Sequence, residues 1–251
     1  MKILGVIPSR YSSSRLPGKP LKDICGRPMV WWVYRLAKQV SGLTDVVVAT
    51  DDQRIVDVCS SYSIPTILTS SSCPTGTDRV AEVATKIKAD YYVTIQGDEP
   101  LLEPSVVQEI VDLILSDNNI VCATLKTPYK NPVDVVNGTT PKVVNDANGD
   151  ILFFSRAPIP YPKASLDYNY YKPMGVYAFK PEILSLYASL QRGEVEKIED
   201  IELLRLLENG IKIRIKEVVS NTVAVDTEKD LLRVVDFMKQ HNAQEIALFE
   251  L

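Results

Sequence analysis

The sequence predicts an α/β protein: a mostly parallel twisted sheet with helices on both faces, carrying an inserted mixed lobe. Three observations predict it. Short, continuous apolar runs ("KILGVI", "DVVVAT", "YYVTIQ", "IVCATLK") alternate with segments of helical length, as expected of strands buried on both faces and joined by crossover helices. The rhythm holds to about Asn131 and then changes to a hairpin-like stretch. Hydrophobic residues make up 45% of the 251 and charged residues 24%, ordinary for a globular chain long enough to bury a large core.

Taken in order, "KILGVI" is a buried strand, and "PMVWWVYRLAKQV" a helix with Pro28 suited to its first turn. "DVVVAT" is a strand, "QRIVDVCSSY" a helix and "PTILT" a short strand. "GTDRVAEVATKI" reads as a helix leading into the strand "YYVTIQ", and "SVVQEIVDLILS" as a helix before the strand "IVCATLK". Beyond these, "KVVNDANGDILFFSR" is two strands joined at "NDANGD", a hairpin signal. "MGVYAF" follows as a strand, "PEILSLYASL" as a helix, and "EDIELLRLLENG" as one amphipathic helix ending at Gly210. "IKIRIKEV" alternates as a strand, and "TEKDLLRVVDFMKQH" is a helix with Thr227 at its N-cap. One domain therefore spans 1–251, with an inserted lobe over 131–181.

Composition excludes several classes of function. A net charge of -4 argues against a general nucleic-acid binder, which needs a basic surface. "MKILGVIPSRYSSSR" turns polar too soon for a signal peptide, and no stretch approaches the ~20 apolar residues of a membrane span, so a cytoplasmic protein without membrane insertion is expected. The four cysteines (Cys25, Cys59, Cys73, Cys122) lack zinc-site spacing and read as reduced, mostly buried thiols. The single histidine, His241, in a polar stretch near the C-terminus, argues against Ser-His-Asp or Cys-His chemistry and against a histidine-ligated metal. A metal here would be held by oxygen, which favours magnesium.

The chemistry gathers in three places. "IPSRYSSSRLPGKPL" leaves the first strand with three consecutive serines, two arginines and a lysine. It is no P-loop, because Ser13 stands where that motif needs glycine and Pro20 follows the lysine; G-x-G-x-x-G is absent as well. Its place at the carboxyl end of a parallel strand is where open α/β sheets bind ligands. Arg10 and Arg15 can fork onto phosphate oxygens and Lys19 can add a point charge, the plainer alternative being a solvated loop. "QGDEP" places Asp98 directly after another strand, as a magnesium-binding carboxylate or as a turn residue. Asp226, in "VAVDTEK", stands between a strand and a helix, as a second ligand or as a carboxylate at a helix N-terminus. Together they point to metal-assisted phosphoryl or nucleotidyl transfer.

These segments, with "VVVATDD", "GTDR", "FFSRAPIP", "GVYAF" and "VDTEKDL", give the chain a resemblance to the CMP-Kdo synthetases (3-deoxy-manno-octulosonate cytidylyltransferases) along nearly its whole length. That family couples CTP to the sugar acid Kdo and releases pyrophosphate. The resemblance implies a nucleotide-diphospho-sugar transferase (Rossmann-like) fold, Mg2+ dependence, a homodimer built largely through the inserted lobe, and a product for lipopolysaccharide or capsule. It implies that Arg10, Ser13, Arg15 and Lys19 hold the CTP phosphates, and that Thr75, Gly76, Arg79 and Gln96 surround the cytidine. It further implies that Asp98 and Asp226 hold magnesium, that Arg156, Tyr177 and Glu202 face the acceptor, and that Arg10, Lys19 and Asp98 carry catalysis.

Two departures fall on positions that the family uses for its sugar acid: Pro173 replaces a histidine in "YKPMGVY", and Leu203 a glutamine in "IELLR". Kdo is the first expectation for the acceptor. Compensation by Arg156, Lys172 and Arg205 would retain it; the alternatives are a modified Kdo, another sugar acid, or a phosphonate or phosphate compound. A glycosyltransferase that consumes a nucleotide sugar also fits "QGDEP", but the basic loop favours triphosphate binding and pyrophosphate release. A non-catalytic nucleotide-binding protein leaves the two aspartates unexplained.

Overall fold

The computed structural model describes residues 1–13, 15–165, 167–220 and 222–241. Its centre is a seven-stranded sheet in the order β11-β7-β10-β6-β1-β4-β5. These strands are β1 (Ile3–Pro8), β4 (Asp45–Thr50), β5 (Thr66–Leu68), β6 (Tyr91–Ile95), β7 (Cys122–Pro128), β10 (Tyr171–Phe179) and β11 (Arg214–Glu217). All run parallel except β10, which is antiparallel to both β6 and β7. From β1 the chain moves outward through β4 to β5, then returns to β6 on the other side of β1. That reversal opens a crevice beyond the carboxyl ends of β1 and β6, the place where doubly wound sheets bind ligands.

Alternation along the strands sorts the core into two layers. Ile3 and Ile7 of β1, Val46 and Val48 of β4, and Tyr91, Val93 and Ile95 of β6 face α1 (Met29–Ala37), α2 (Gln53–Ser61) and α4 (Pro104–Ser116). Leu4, Val6, Val47, Ala49 and Tyr92 face α3 (Gly76–Lys86), α6 (Pro181–Ser189) and α8 (Leu204–Glu208). Pro28 caps α1 from just outside rather than within its first turn. A third, smaller cluster joins Leu16 of the basic loop and Ile24 of a short hairpin, β2 (Asp23–Ile24) with β3 (Arg27–Pro28), to Leu231, Val234 and Met238 of α9 (Glu228–Gln240). Leu16 is 3% exposed, so its burial contributes roughly 1.5–3 kcal/mol toward holding the loop under α9. Thr227 caps α9 through a capping box with Asp230.

Two expectations need correction. Tyr171–Phe179 belongs to the central sheet, hydrogen-bonded on both edges, so the stretch that leaves the sheet closes before 181. That stretch holds α5 (Pro132–Val135) and the antiparallel pair β8 (Lys142–Asn145) and β9 (Ile151–Ser155). The single helix read over 199–210 is instead α7 (Glu194–Glu199) and α8, parted at Asp200, which takes a left-handed conformation with φ 50. The cysteines are free as expected; Cys59 and Cys122 are buried, whereas Cys25 and Cys73 are half-buried. Among the described residues no helix is long and apolar enough to cross a membrane.

Candidate active site

The loop after β1 is shaped by its own backbone. Gly18 has φ 65, and its N–H donates to the Tyr11 carbonyl at 3.0 Å, closing the loop on itself. A Cβ at Gly18 would press on the Tyr11 ring at 3.2 Å, and Tyr11 is in turn covered by the Arg54 guanidinium 3.3 Å from its centroid. The Ser13 hydroxyl accepts the Leu16 N–H at 3.3 Å. The closed loop then enters a 3-10 turn, Lys19–Leu21, and this turn aims Lys19 inward.

Lys19 is the hub. Its Nζ lies 2.7 Å from Asp98 Oδ2 and 3.1 Å from Asp226 Oδ1, and Arg15 reaches the same Asp226 oxygen at 3.0 Å. Although 128 residues separate the two aspartates in sequence, the Val225 N–H donates to the Asp98 carbonyl at 2.8 Å and fixes one beside the other. Glu99, next in the chain, turns into the protein. Burial and then the Asp98 charge push its carboxyl up to about 7, which limits the negative charge added at this point.

The opposite walls come from α3, β6, β10 and the α7–α8 break. Thr75 caps α3 through a capping box with Asp78 and also meets the Tyr187 hydroxyl at 3.2 Å. Arg79 is buried, held by Asp51 at 3.4 Å and by Thr69. Gln96 follows β6 against Gly175 of β10, where any Cβ would meet its side chain at 2.5 Å; that close approach requires glycine. Glu202 accepts the Thr77 N–H at 3.1 Å, while burial raises its carboxyl above the usual range. Burial likewise raises the Tyr177 hydroxyl.

One cleft of about 1010 Å³ is lined by Arg10, Ser13, Arg15, Lys19, Thr75, Gly76, Arg79, Gln96, Asp98, Tyr177, Glu202 and Asp226. Cations and carboxylates converge from the basic loop, Asp98 and Asp226, and Glu202 closes on the α3 N-terminus through the Thr77 N–H. Such an arrangement suits an elongated anion that approaches a second substrate.

Arg156 is not among the lining residues. Its guanidinium donates to the carbonyls of Gly138, Thr139, Glu199 and Asp200, which makes it a clamp between the 131–170 stretch and the helix break. Sequence reasoning in turn missed Pro141, Arg192, Asp200 and Ile201, all of which line the cleft. Asp200 and Ile201 were hidden inside the helix read over 199–210, and nothing local marks Arg192.

Comparison with known proteins agrees with this geometry. A family profile described as Cytidylyltransferase matches residues 4–213. The 3-deoxy-manno-octulosonate cytidylyltransferase of Fusobacterium nucleatum is 40% identical, with 96% of this chain and 99% of that protein covered. The Escherichia coli protein of the same name is also 40% identical, over 97% and 98%. The chain belongs to the 3-deoxy-manno-octulosonate cytidylyltransferase family. A solved CMP:2-keto-3-deoxy-manno-octonic acid synthetase complexed with CTP superposes with a TM-score of 0.93 at 40% identity, over 96% of this chain and all of that one. A glucose-1-phosphate thymidylyltransferase from Bacillus anthracis, described as putative, shares the fold alone, at 18% identity and a TM-score of 0.66.

Against this family, neither departure faces the cleft. Leu203 is 1% exposed within the second core layer, and Pro173 lies on β10 opposite Lys126; neither lines the cleft. Lys172 and Arg205 do not line it either. Arg205 is buried between Glu196 and Asp78, over the Tyr187 ring. The two departures therefore lie outside the set of residues that line the cleft.

Proposed function

We propose that the protein transfers a cytidylyl group from CTP to Kdo or a Kdo-like sugar acid and releases pyrophosphate. The observation that carries this reading is the convergence of a basic loop and two aspartates from distant segments on one cleft, in a chain so similar to a synthetase solved with CTP. Arg10, Ser13, Arg15 and Lys19 take the triphosphate, and Thr75, Gly76, Arg79 and Gln96 take the cytidine. The acceptor hydroxyl oxygen attacks the α-phosphorus in line; the new O–P bond forms as the α–β phosphoanhydride bond breaks, and the hydroxyl proton leaves to solvent. No protein nucleophile is required. The chain's residues act by holding both substrates in line and by neutralising charge on the leaving pyrophosphate.

Magnesium fits the donor set. Asp98 and Asp226 offer hard oxygens that already converge on one cation, Lys19 Nζ. Among the described residues no group of three or more His, Cys, Asp or Glu side chains is assembled as a metal site. Magnesium commonly takes one or two carboxylates and completes its shell with phosphate oxygens and water. When bound, it would supply further neutralisation of the phosphates.

We also place the protein in the cytoplasm, where CTP is made, and read it as a homodimer joined through the 131–170 stretch. That stretch exposes Val133, Val136, Leu152 and Phe153. The test of the activity is pyrophosphate release from CTP and magnesium, with Kdo beside a panel of other sugar acids and phosphonates. Release with Kdo is expected. Silence with every acid would overturn the transferase reading, whereas release with another acid alone would reassign the acceptor.

A further inference from the structure

The acceptor end of the cleft holds a cation that the sequence did not announce. Among the described lining residues, Arg10, Arg15 and Lys19 belong to the triphosphate loop, and Arg79 is held by Asp51 and Thr69. Arg192 comes from the opposite wall, between α6 and α7. Its Nε donates to Glu196 Oε1 at 3.1 Å, and its Nη2 lies 3.2 Å from Asp200 Oδ1. The two anions differ in kind. Glu196 is fully buried and is gripped on both oxygens by Arg205 at 2.8 Å, so it forms a fixed backing. The Asp200 side chain is 79% exposed, so its pairing is worth little and is readily exchanged.

We propose that Arg192 is the cationic anchor for the carboxylate of the acceptor. The inference rests on the proposed function and replaces Arg156, whose guanidinium is occupied by four backbone carbonyls. The buried Glu196–Arg205–Asp78 chain continues to Thr75, which lines the nucleotide region, so Arg192 is registered against that region through fixed partners. A guanidinium backed through Nε presents its planar fork outward, the geometry that matches a carboxylate. The incoming acid displaces the exposed Asp200 carboxylate.

The test is steady-state pyrophosphate release by Arg192→Gln, Arg192→Lys and Asp200→Asn, varying the acceptor and CTP separately, with thermal unfolding as a control for folding. Arg192→Gln should raise the acceptor KM about 10- to 100-fold, the loss of a charge-assisted pair, and leave the CTP KM within about 2-fold. Arg192→Lys should recover only part of this, because an ammonium lacks the fork. Asp200→Asn, which removes the competing carboxylate, should lower the acceptor KM. An acceptor KM unmoved in Arg192→Gln, or acceptor and CTP KM values rising together, would overturn the assignment while leaving the transferase reading intact. Wild-type protein silent with every acid would remove both.

Discussion

At the scale of single residues, the site's main contrast is between carboxylates that are ion-paired in the cleft and carboxylates that are buried. Asp98 and Asp226 share Lys19, and Arg15 adds a second pair to Asp226, so a cluster of cations already faces both carboxylates. Glu99, next to Asp98 but turned away from the cleft, and Glu202, on the cleft wall, are both raised by burial. Replacing Asp98 by Asn keeps shape and volume and removes only the charge. Pyrophosphate release by Asp98→Asn should fall about 10²- to 10³-fold in kcat, the scale seen when one preorganised electrostatic contact is lost. CTP affinity, read by calorimetric titration, should move far less, because Arg10, Arg15 and Lys19 remain. Turnover close to wild type would remove Asp98 from the metal and from catalysis.

At the scale of elements, the basic loop works because it is pinned at three points: the Gly18–Tyr11 closure, Leu16 beneath α9, and Lys19 in its 3-10 turn. Gly18→Ala keeps every charge but forces a Cβ onto a left-handed residue and toward Tyr11. Strain of roughly 1–2 kcal/mol, a drop of about 2–8 °C in thermal midpoint and a several-fold rise in CTP KM are expected. An unchanged CTP KM in Gly18→Ala would show that the loop's shape is not what binds triphosphate. This level was the most legible in the sequence. Uninterrupted apolar runs marked the strands, and the loop charges together with "QGDEP" marked one end of the cleft, because those signals are local. What stayed hidden depended on distant partners. Nothing in "EDIELLRLLENG" announces the left-handed Asp200, which Arg156 clamps from 44 residues away and Arg192 pairs from the preceding connection. The resemblance, through "FFSR", set Arg156 on the acceptor side; its carbonyl partners come from segments 17 to 44 residues away. β10 read correctly as a strand, but its antiparallel insertion between β6 and β7 is a property of the sheet and not of the segment.

At the scale of the whole molecule, the 131–170 stretch connects a prospective subunit face to the acceptor end of the cleft. On one side it exposes Leu152 (62%), Val133 (71%) and Val136 (72%), apolar surface of the kind that an interface covers. On the other side Pro141 lines the cleft, and the Gly138 and Thr139 carbonyls hold Arg156, whose guanidinium also grips Glu199 and Asp200. Covering the outer face is expected to steady the break at Asp200, whose carbonyl Arg156 holds. The basic loop, proposed above to hold triphosphate, is tied to α9 instead. Wild-type protein should accordingly sediment as a dimer at micromolar concentration, and the double variant Val136→Lys/Leu152→Lys as a monomer. The monomer should retain a CTP KM within about 2-fold of wild type and show an acceptor KM raised several-fold, following the ~1–3 kcal/mol typical of coupling between sites. A wild-type monomer would overturn the interface assignment. A dimer lost with no change in acceptor KM would uncouple the 131–170 stretch from the cleft and leave Arg156 as a clamp on a wall that is rigid without it.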